Sequence, residues 1–270
     1  MSRPIPERKI STHVGDCEKR MIRFRFVIGA IVAAQGVPLL GGVESHHWSY
    51  ADTDGPSHWA NLDPKYAACA AKSQSPIEIA ASEVRSAALP ALEFNYRPTS
   101  LRLVDNGHTI EVKVDPGSSL MVGGKSYELV QFHFHRPSEE VIDGKRFAMV
   151  AHLVHRDPGG HLAVVAVPLA TGRANALIET LWRSLPPEKG KEVIDTAIRI
   201  SATALLPGTL AYYAYSGSLT TPPCSEGVRW LVLKSPSLVS PRQVRMFAAR
   251  YSNNARPIQP RNGRTVLSSK

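Results

Sequence analysis

Three cysteines in 270 residues are too few for a disulfide framework or a closed four-thiolate metal site. No uninterrupted apolar run reaches the roughly 20 residues that cross a bilayer as a helix. Aromatic residues make up only 7% of the chain, and basic residues are scattered among acidic ones along most of it with no basic run interleaved with aromatics as strand binding would need, so a net charge of +9 brings no nucleic-acid-binding strip with it. Internal repeats and low-complexity linkers are also missing, which leaves one large domain as the reading. What is present is 43% hydrophobic residues against 20% charged, enough to build a sizeable core.

The basic excess is partly concentrated at the N-terminus. Lys19, Arg20, Arg23 and Arg25 precede an apolar stretch, Phe26–Leu40, broken by Gln35 and Pro38. That order of charge and then apolar residues predicts a signal peptide over residues 1–45, cleaved after Val43 and Ser45 to leave His46 first, with Met21 as an alternative start. Its removal leaves 25 basic against 19 acidic residues, +6, and no stable membrane span. Cys17 leaves with the leader. Cys69 and Cys224 remain as an even pair, for which an oxidising compartment, periplasmic or extracellular, favours a disulfide over two buried thiols.

Residues 46–270 are dominated by short alternating or β-branched runs bounded by Gly, Pro and Asn: Leu92–Tyr96, Leu101–Val104, Thr109–Val114, Tyr127–His135, Arg146–His155, Leu162–Leu169, Leu210–Tyr215 and Val228–Leu233. Helical spacing appears chiefly in Ala174–Leu185 and, after Pro241, in Arg242–Arg250. Turn dipeptides at Asp143-Gly144 and within Pro158-Gly159-Gly160 predict hairpins. The fold class is therefore α+β or mainly β: a large, twisted, mostly antiparallel sheet with short peripheral helices.

His133 and His135 in Gln131-Phe132-His133-Phe134-His135 sit at i and i+2, which on a strand turns both imidazoles to one face and both phenylalanines to the other. A hairpin later, His152 can add a third imidazole from the neighbouring strand. Three neutral nitrogens with a fourth position open make a catalytic zinc arrangement, whereas two hydrogen-bonded core histidines would be the plain alternative for the first pair. His46, His47, His58, His155 and His161 read as surface or structural.

From here the chain resembles the α-class carbonic anhydrases. The resemblance rests on His47-Trp48-Ser49-Tyr50, Gly55-Pro56 with His58-Trp59, Gln74-Ser75-Pro76-Ile77, Asn106-Gly107-His108, the His133 and His152 segments, the run Ser218–Cys224, and Arg256-Pro257, in the family's order. It implies a zinc enzyme of the bacterial, exported type, with one Zn2+ per chain, that hydrates carbon dioxide reversibly to bicarbonate and a proton by attack of zinc-bound hydroxide. It implies that Thr220 takes a hydrogen bond from the hydroxide and gives its own proton to Glu139, and that His108 relays the proton outward. Val154, Val164, Leu219, Thr221 and Trp230 then match the substrate pocket, Tyr50, Asn106 and Tyr215 a hydrogen-bond network, Gln131 the partner of the first ligand, and Cys69–Cys224 a disulfide holding the Thr220 loop.

The pattern breaks at three places. Two residues before His152 the family carries a glutamate, and here Val150 cannot accept a hydrogen bond. Loss of such a partner typically costs about 10–100-fold in metal affinity or activity, which predicts faster zinc loss than in a Val150→Glu variant unless another group substitutes. Glu140 stands where a histidine follows the orienting glutamate. Glu111 stands near a cavity-facing amide position, although strand parity puts it on the face opposite His108 unless a bulge intervenes. The competing functions are a zinc esterase and a non-catalytic member serving as a binding module. Modules of that kind lose zinc histidines, and all three are here. Expected partners are carbon dioxide and bicarbonate, no nucleic acid, and a homodimer as the one protein partner left open.

Overall fold

A computed structural model describes residues 47–270. The leader expected at 1–45, and His46 after it, lie outside the described residues. Among the described residues no helix is long and apolar enough to cross a membrane.

The eight strands that position the site are β1 (Thr99–Asp105), β2 (Ile110–Lys113), β3 (Lys125–His135), β4 (Met149–Arg156), β5 (Leu162–Thr171), β6 (Glu192–Ile200), β7 (Tyr212–Ser218) and β8 (Glu226–Leu233). They lie in the order β6-β1-β2-β3-β4-β5-β8-β7 within a sheet of 13 strands. Pairing is antiparallel except between β5 and β8, which run parallel, so the sheet is mixed. All eight strand runs read from the sequence fall on observed strands, and the turn at Pro158–Gly160 joins β4 to β5 as expected. Asp143-Gly144 does close a hairpin, with both residues in the left-handed region. That hairpin is small, joins Val141–Ile142 to Lys145–Arg146, and belongs to a separate three-stranded sheet rather than to the main one.

Two-residue periodicity sorts the side chains onto two faces. On one face Phe132, Phe134, Ala151, Leu153, Val165 and Leu231 join the main core. Helices α1 (Ala176–Arg183) and α2 (Pro241–Ala248) cover that face through Ile178, Leu181, Trp182 and Phe247. Asn175 caps α1, and Ser240 with Gln243 forms a capping box on α2 with Pro241 in its first turn. On the other face Val150, Val154, Val164, Ala166, Tyr215 and Trp230 form a second apolar cluster. His133, His135 and His152 emerge on this second face, whereas His155, further along β4, bonds to Tyr96 on the side of the main core. β4 is buried along nearly its whole length, because it is a central strand covered on both sides.

Strand β6 was not among the predicted runs. Its sequence, Glu-Val-Ile-Asp-Thr-Ala-Ile-Arg-Ile, mixes charges through the strand, and it lies at the sheet edge with Ile194 57% exposed. An edge strand buries little, so its hydrophobic signal is weak.

Candidate metal centre

His152 on β4 lies directly across from His133 on β3, and His135 directly across from Val150. That register, together with the shared strand face, brings one ring nitrogen from each of His133, His135 and His152 within 4.8 Å of one another. It is the one such group among the described residues.

Each imidazole is held through its other nitrogen. Nδ1 of His133 bonds to Gln131 Oε1 at 2.8 Å, as predicted. Nδ1 of His135 bonds to the Asn254 carbonyl at 2.7 Å, and Nε2 of His152 to Glu140 Oε1 at 2.8 Å. Because each bonded nitrogen donates its proton to an acceptor, the nitrogens left as lone-pair donors are Nε2, Nε2 and Nδ1. Nε2 of His135 is buried with no partner, as a ligand awaiting a metal would be. Burial, reinforced by the neighbouring imidazoles at His133 and His152, holds all three pKa values below the ordinary histidine value and keeps the rings neutral. Three neutral imidazoles fit a zinc ion with an open coordination position.

Glu139 and Glu140 are both buried beside this group. Glu139 Oε1 accepts the Arg256 backbone N–H at 2.7 Å. Burial, and then the Glu140 charge, raise the Glu139 pKa, while Arg256 and the Thr220 side chain favour its charged form. Glu139 Oε2 is buried with no hydrogen-bond partner. The loop carrying Thr220 is tied down by the Cys69–Cys224 disulfide, which the structure contains, and by Trp230 Nε1 donating to the Ser218 carbonyl at 2.9 Å.

A cavity of about 110 Å³ opens over His133 and His135 and is lined by Trp48, Tyr50, Asn106, His108, Glu111 and Thr221, among others. Larger hollows exist at the 157–160 turn and near the C-terminus, but none gathers a metal-ligating set. His108 stacks on Trp48, with ring centroids 3.6 Å apart and planes 9° from parallel. Val154, Val164, Leu219 and Trp230 fall together in the second apolar cluster, and the Trp230 ring packs edge-on against His152 at 4.9 Å. Tyr215 donates to Ser75 Oγ at 3.2 Å, whereas the Tyr50 hydroxyl is buried without a partner. Asn106 uses its Oδ1 on the backbone N–H groups of His108 and Thr109, so it shapes the turn that presents His108.

One expectation meets its stated exception and another needs correction. Val150 offers His152 no acceptor, and another group does substitute, because Glu140 Oε1 accepts from His152 Nε2 from the loop after β3. Val150 itself is fully buried in the apolar cluster and takes no part in holding a ligand by hydrogen bonding. Glu111 does line the cavity together with His108, with no bulge needed. β2 begins only at Ile110, so His108 belongs to the preceding turn and strand parity does not reach it.

Three contributors escaped the sequence reading. Asn254 gave no signal, since a backbone carbonyl carries no residue identity. Glu140 was seen only as an added charge. Arg256 was noted within Arg256-Pro257 but given no role; it is 1% exposed and its guanidinium donates to Gln74 Oε1, the Ser75 carbonyl and the Cys69 carbonyl.

Comparison with known proteins agrees with this geometry. A family model described as eukaryotic-type carbonic anhydrase matches residues 54–270. The carbonic anhydrase of Neisseria gonorrhoeae is 42% identical over 224 residues, covering 82% of this chain and 87% of that protein. The structure of the α-carbonic anhydrase from Thermovibrio ammonificans in complex with the inhibitor sulfanilamide aligns with a TM-score of 0.80 at 42% identity, covering 83% of this chain and 100% of that one. Dioscorin complexed with ascorbate aligns with a TM-score of 0.77 at 35% identity, covering 82% of this chain and 97% of that one. With the mixed sheet, the three converging imidazoles and these matches in hand, the chain belongs to the α-class, or eukaryotic-type, carbonic anhydrase family.

Proposed function

We propose that this protein reversibly hydrates carbon dioxide to bicarbonate and a proton, using one zinc ion held by His133, His135 and His152. The observation that carries the reading is the convergence of three imidazole nitrogens within 4.8 Å, with each ring oriented from behind by an acceptor. Zinc bound there supplies the Lewis acidity that lets water ionise near neutral pH, chemistry for which carbonic anhydrases are themselves the standard example.

The chain's own residues do the rest. Burial and Glu140 pull the Glu139 pKa up against the opposing Arg256 backbone N–H and guanidinium, and in its charged form Glu139 accepts a hydrogen bond from the Thr220 hydroxyl. Thr220 is left as an acceptor. An attacking oxygen therefore turns its hydrogen toward Thr220 and its lone pair toward the apolar side of the site. There Val154, Val164, Leu219 and Trp230 offer a small apolar molecule a place that water does not favour. His108, at the cavity wall, is the group placed to carry the released proton outward.

The test is a stopped-flow pH change on mixing with carbon dioxide, before and after metal removal. Acceleration that vanishes with the metal and returns with zinc is the expected result. No acceleration by zinc-loaded protein would favour a binding module, as would tight binding of a small acid without turnover.

We propose also that the protein works outside the cytoplasm, after loss of residues 1–45. The Cys69–Cys224 bond supports this, since such bonds persist in oxidising compartments. A mature chain beginning at His46 in the secreted or periplasmic fraction is expected, and recovery of the intact chain from the cytosol would overturn it.

A further inference from the structure

His152 is the ligand whose support departs most from expectation, and the departure involves two positions rather than one. Two residues before it, on the same strand face, Val150 is completely buried among apolar side chains. The acceptor comes instead from outside the strand, where Glu140 Oε1 lies 2.8 Å from His152 Nε2 with both side chains about 1% exposed. Burying a carboxylate is costly unless it is paired, and Oε2 of Glu140 has no hydrogen-bond partner, so this contact is the main return for the burial. The loop that delivers Glu140 is fixed independently of any metal. Ser138 Oγ donates to the Glu140 carbonyl at 2.8 Å and accepts the Phe147 N–H at 3.0 Å, while the Ser138 N–H donates to the Phe147 carbonyl at 3.1 Å.

We propose that Glu140 is the positioning residue of the third metal ligand. Its carboxylate accepts the Nε2–H of His152 and so presents Nδ1 to the metal, and Val150 is the apolar complement of that arrangement. The proposal rests on the zinc reading above. The physical logic is one acceptor per imidazole: Gln131, the Asn254 carbonyl and Glu140 already fill those places, Glu139 and Glu140 put two buried carboxyl groups beside the rings, and a third at position 150 would add like-charge repulsion in a dry site without a free nitrogen to satisfy. This reverses the effect expected for Val150→Glu from the sequence. In the wild-type background that substitution should not improve zinc retention, and only when Glu140 is gone should it help.

The test is zinc release into excess chelator from wild type, Glu140→Met, Glu140→Gln, Val150→Glu and the double variant Glu140→Met with Val150→Glu. Metal-free 15N-histidine NMR is recorded alongside. Glu140→Met keeps volume and removes the acceptor, and zinc is expected to leave about 10–100-fold faster. Glu140→Gln, which keeps a carbonyl acceptor, should fall between it and wild type, and the double variant should recover most of the retention. In the metal-free wild type His152 should appear as the Nε2–H tautomer, a signature that fades in Glu140→Met. Wild-type zinc release in Glu140→Met, or an unchanged His152 tautomer population, overturns the proposal. A wild type that takes up no zinc yet shows the Nε2–H signature sinks the zinc reading and leaves the Glu140–His152 contact standing.

Discussion

Half-burial, and then the neighbouring His47 and Lys189 charges, lower the pKa of His108 to about 4. Stacking on Trp48 takes one face of the ring out of water, which disfavours the imidazolium. The sign matters for function. Lowered from the ordinary value near 6.5, His108 stays neutral over the whole range from pH 5 to 8 and is a reluctant proton acceptor there. Turnover in dilute buffer is therefore expected to be limited by proton removal and to climb as imidazole is added, with His108→Ala slower in dilute buffer and equally rescued. Trp48→Ala, which returns the ring to water, should raise dilute-buffer turnover. If that variant gives the wild-type rate at every buffer concentration, the stack does not govern the relay.

The elements around the site are joined by two cross-links of different chemistry. Cys69 and Cys224 are bonded across a sequence separation of 155 residues. In the chain-entropy model a loop of that length stabilises the fold by about 5 kcal/mol, an upper figure because measured effects are smaller. Reduction, or Cys69→Ser with Cys224→Ser, should thus lower the melting temperature clearly and loosen the Thr220 loop. An oxidised and a reduced protein that melt together would argue against any such role. Arg256 ties the 69–75 segment to the chain next to Glu139 through three acceptors. Each buried acceptor left unpaired costs about 1–3 kcal/mol, so Arg256→Ala is expected to cost at least about 3 kcal/mol. For a domain of this size that is a fall of about 6–12 °C in thermal denaturation, and a fall under about 2 °C would contradict the clamp.

Across the described residues the main core and the three converging imidazoles lie on opposite faces of one sheet, with Phe132 and Phe134 turned into the core while His133 and His135 turn away from it. The fold should therefore outlast the metal. Chelation is expected to abolish activity while leaving the far-UV circular dichroism of the sheet unchanged, unlike small domains that metal alone holds together. Collapse of that spectrum on chelation would show that the site and the fold are one unit. This separation also explains what could be read in advance. Alternation along a strand is a local property, so the eight strand runs, the shared face of His133 and His135, the helix start at Pro241 and the set of three imidazoles were legible in the sequence, while the charge-broken edge strand β6 was not. The identity of the group behind each imidazole was not. Gln131 lies two residues from its histidine on the same strand and could be named, but Asn254 is 119 residues from His135, and Glu140 comes from a loop whose path no period describes. The replacement of an acceptor at position 150 by one at position 140 was settled by tertiary structure alone, because a hydrogen bond depends on where two atoms finally lie and a sequence pattern fixes only which face each residue takes.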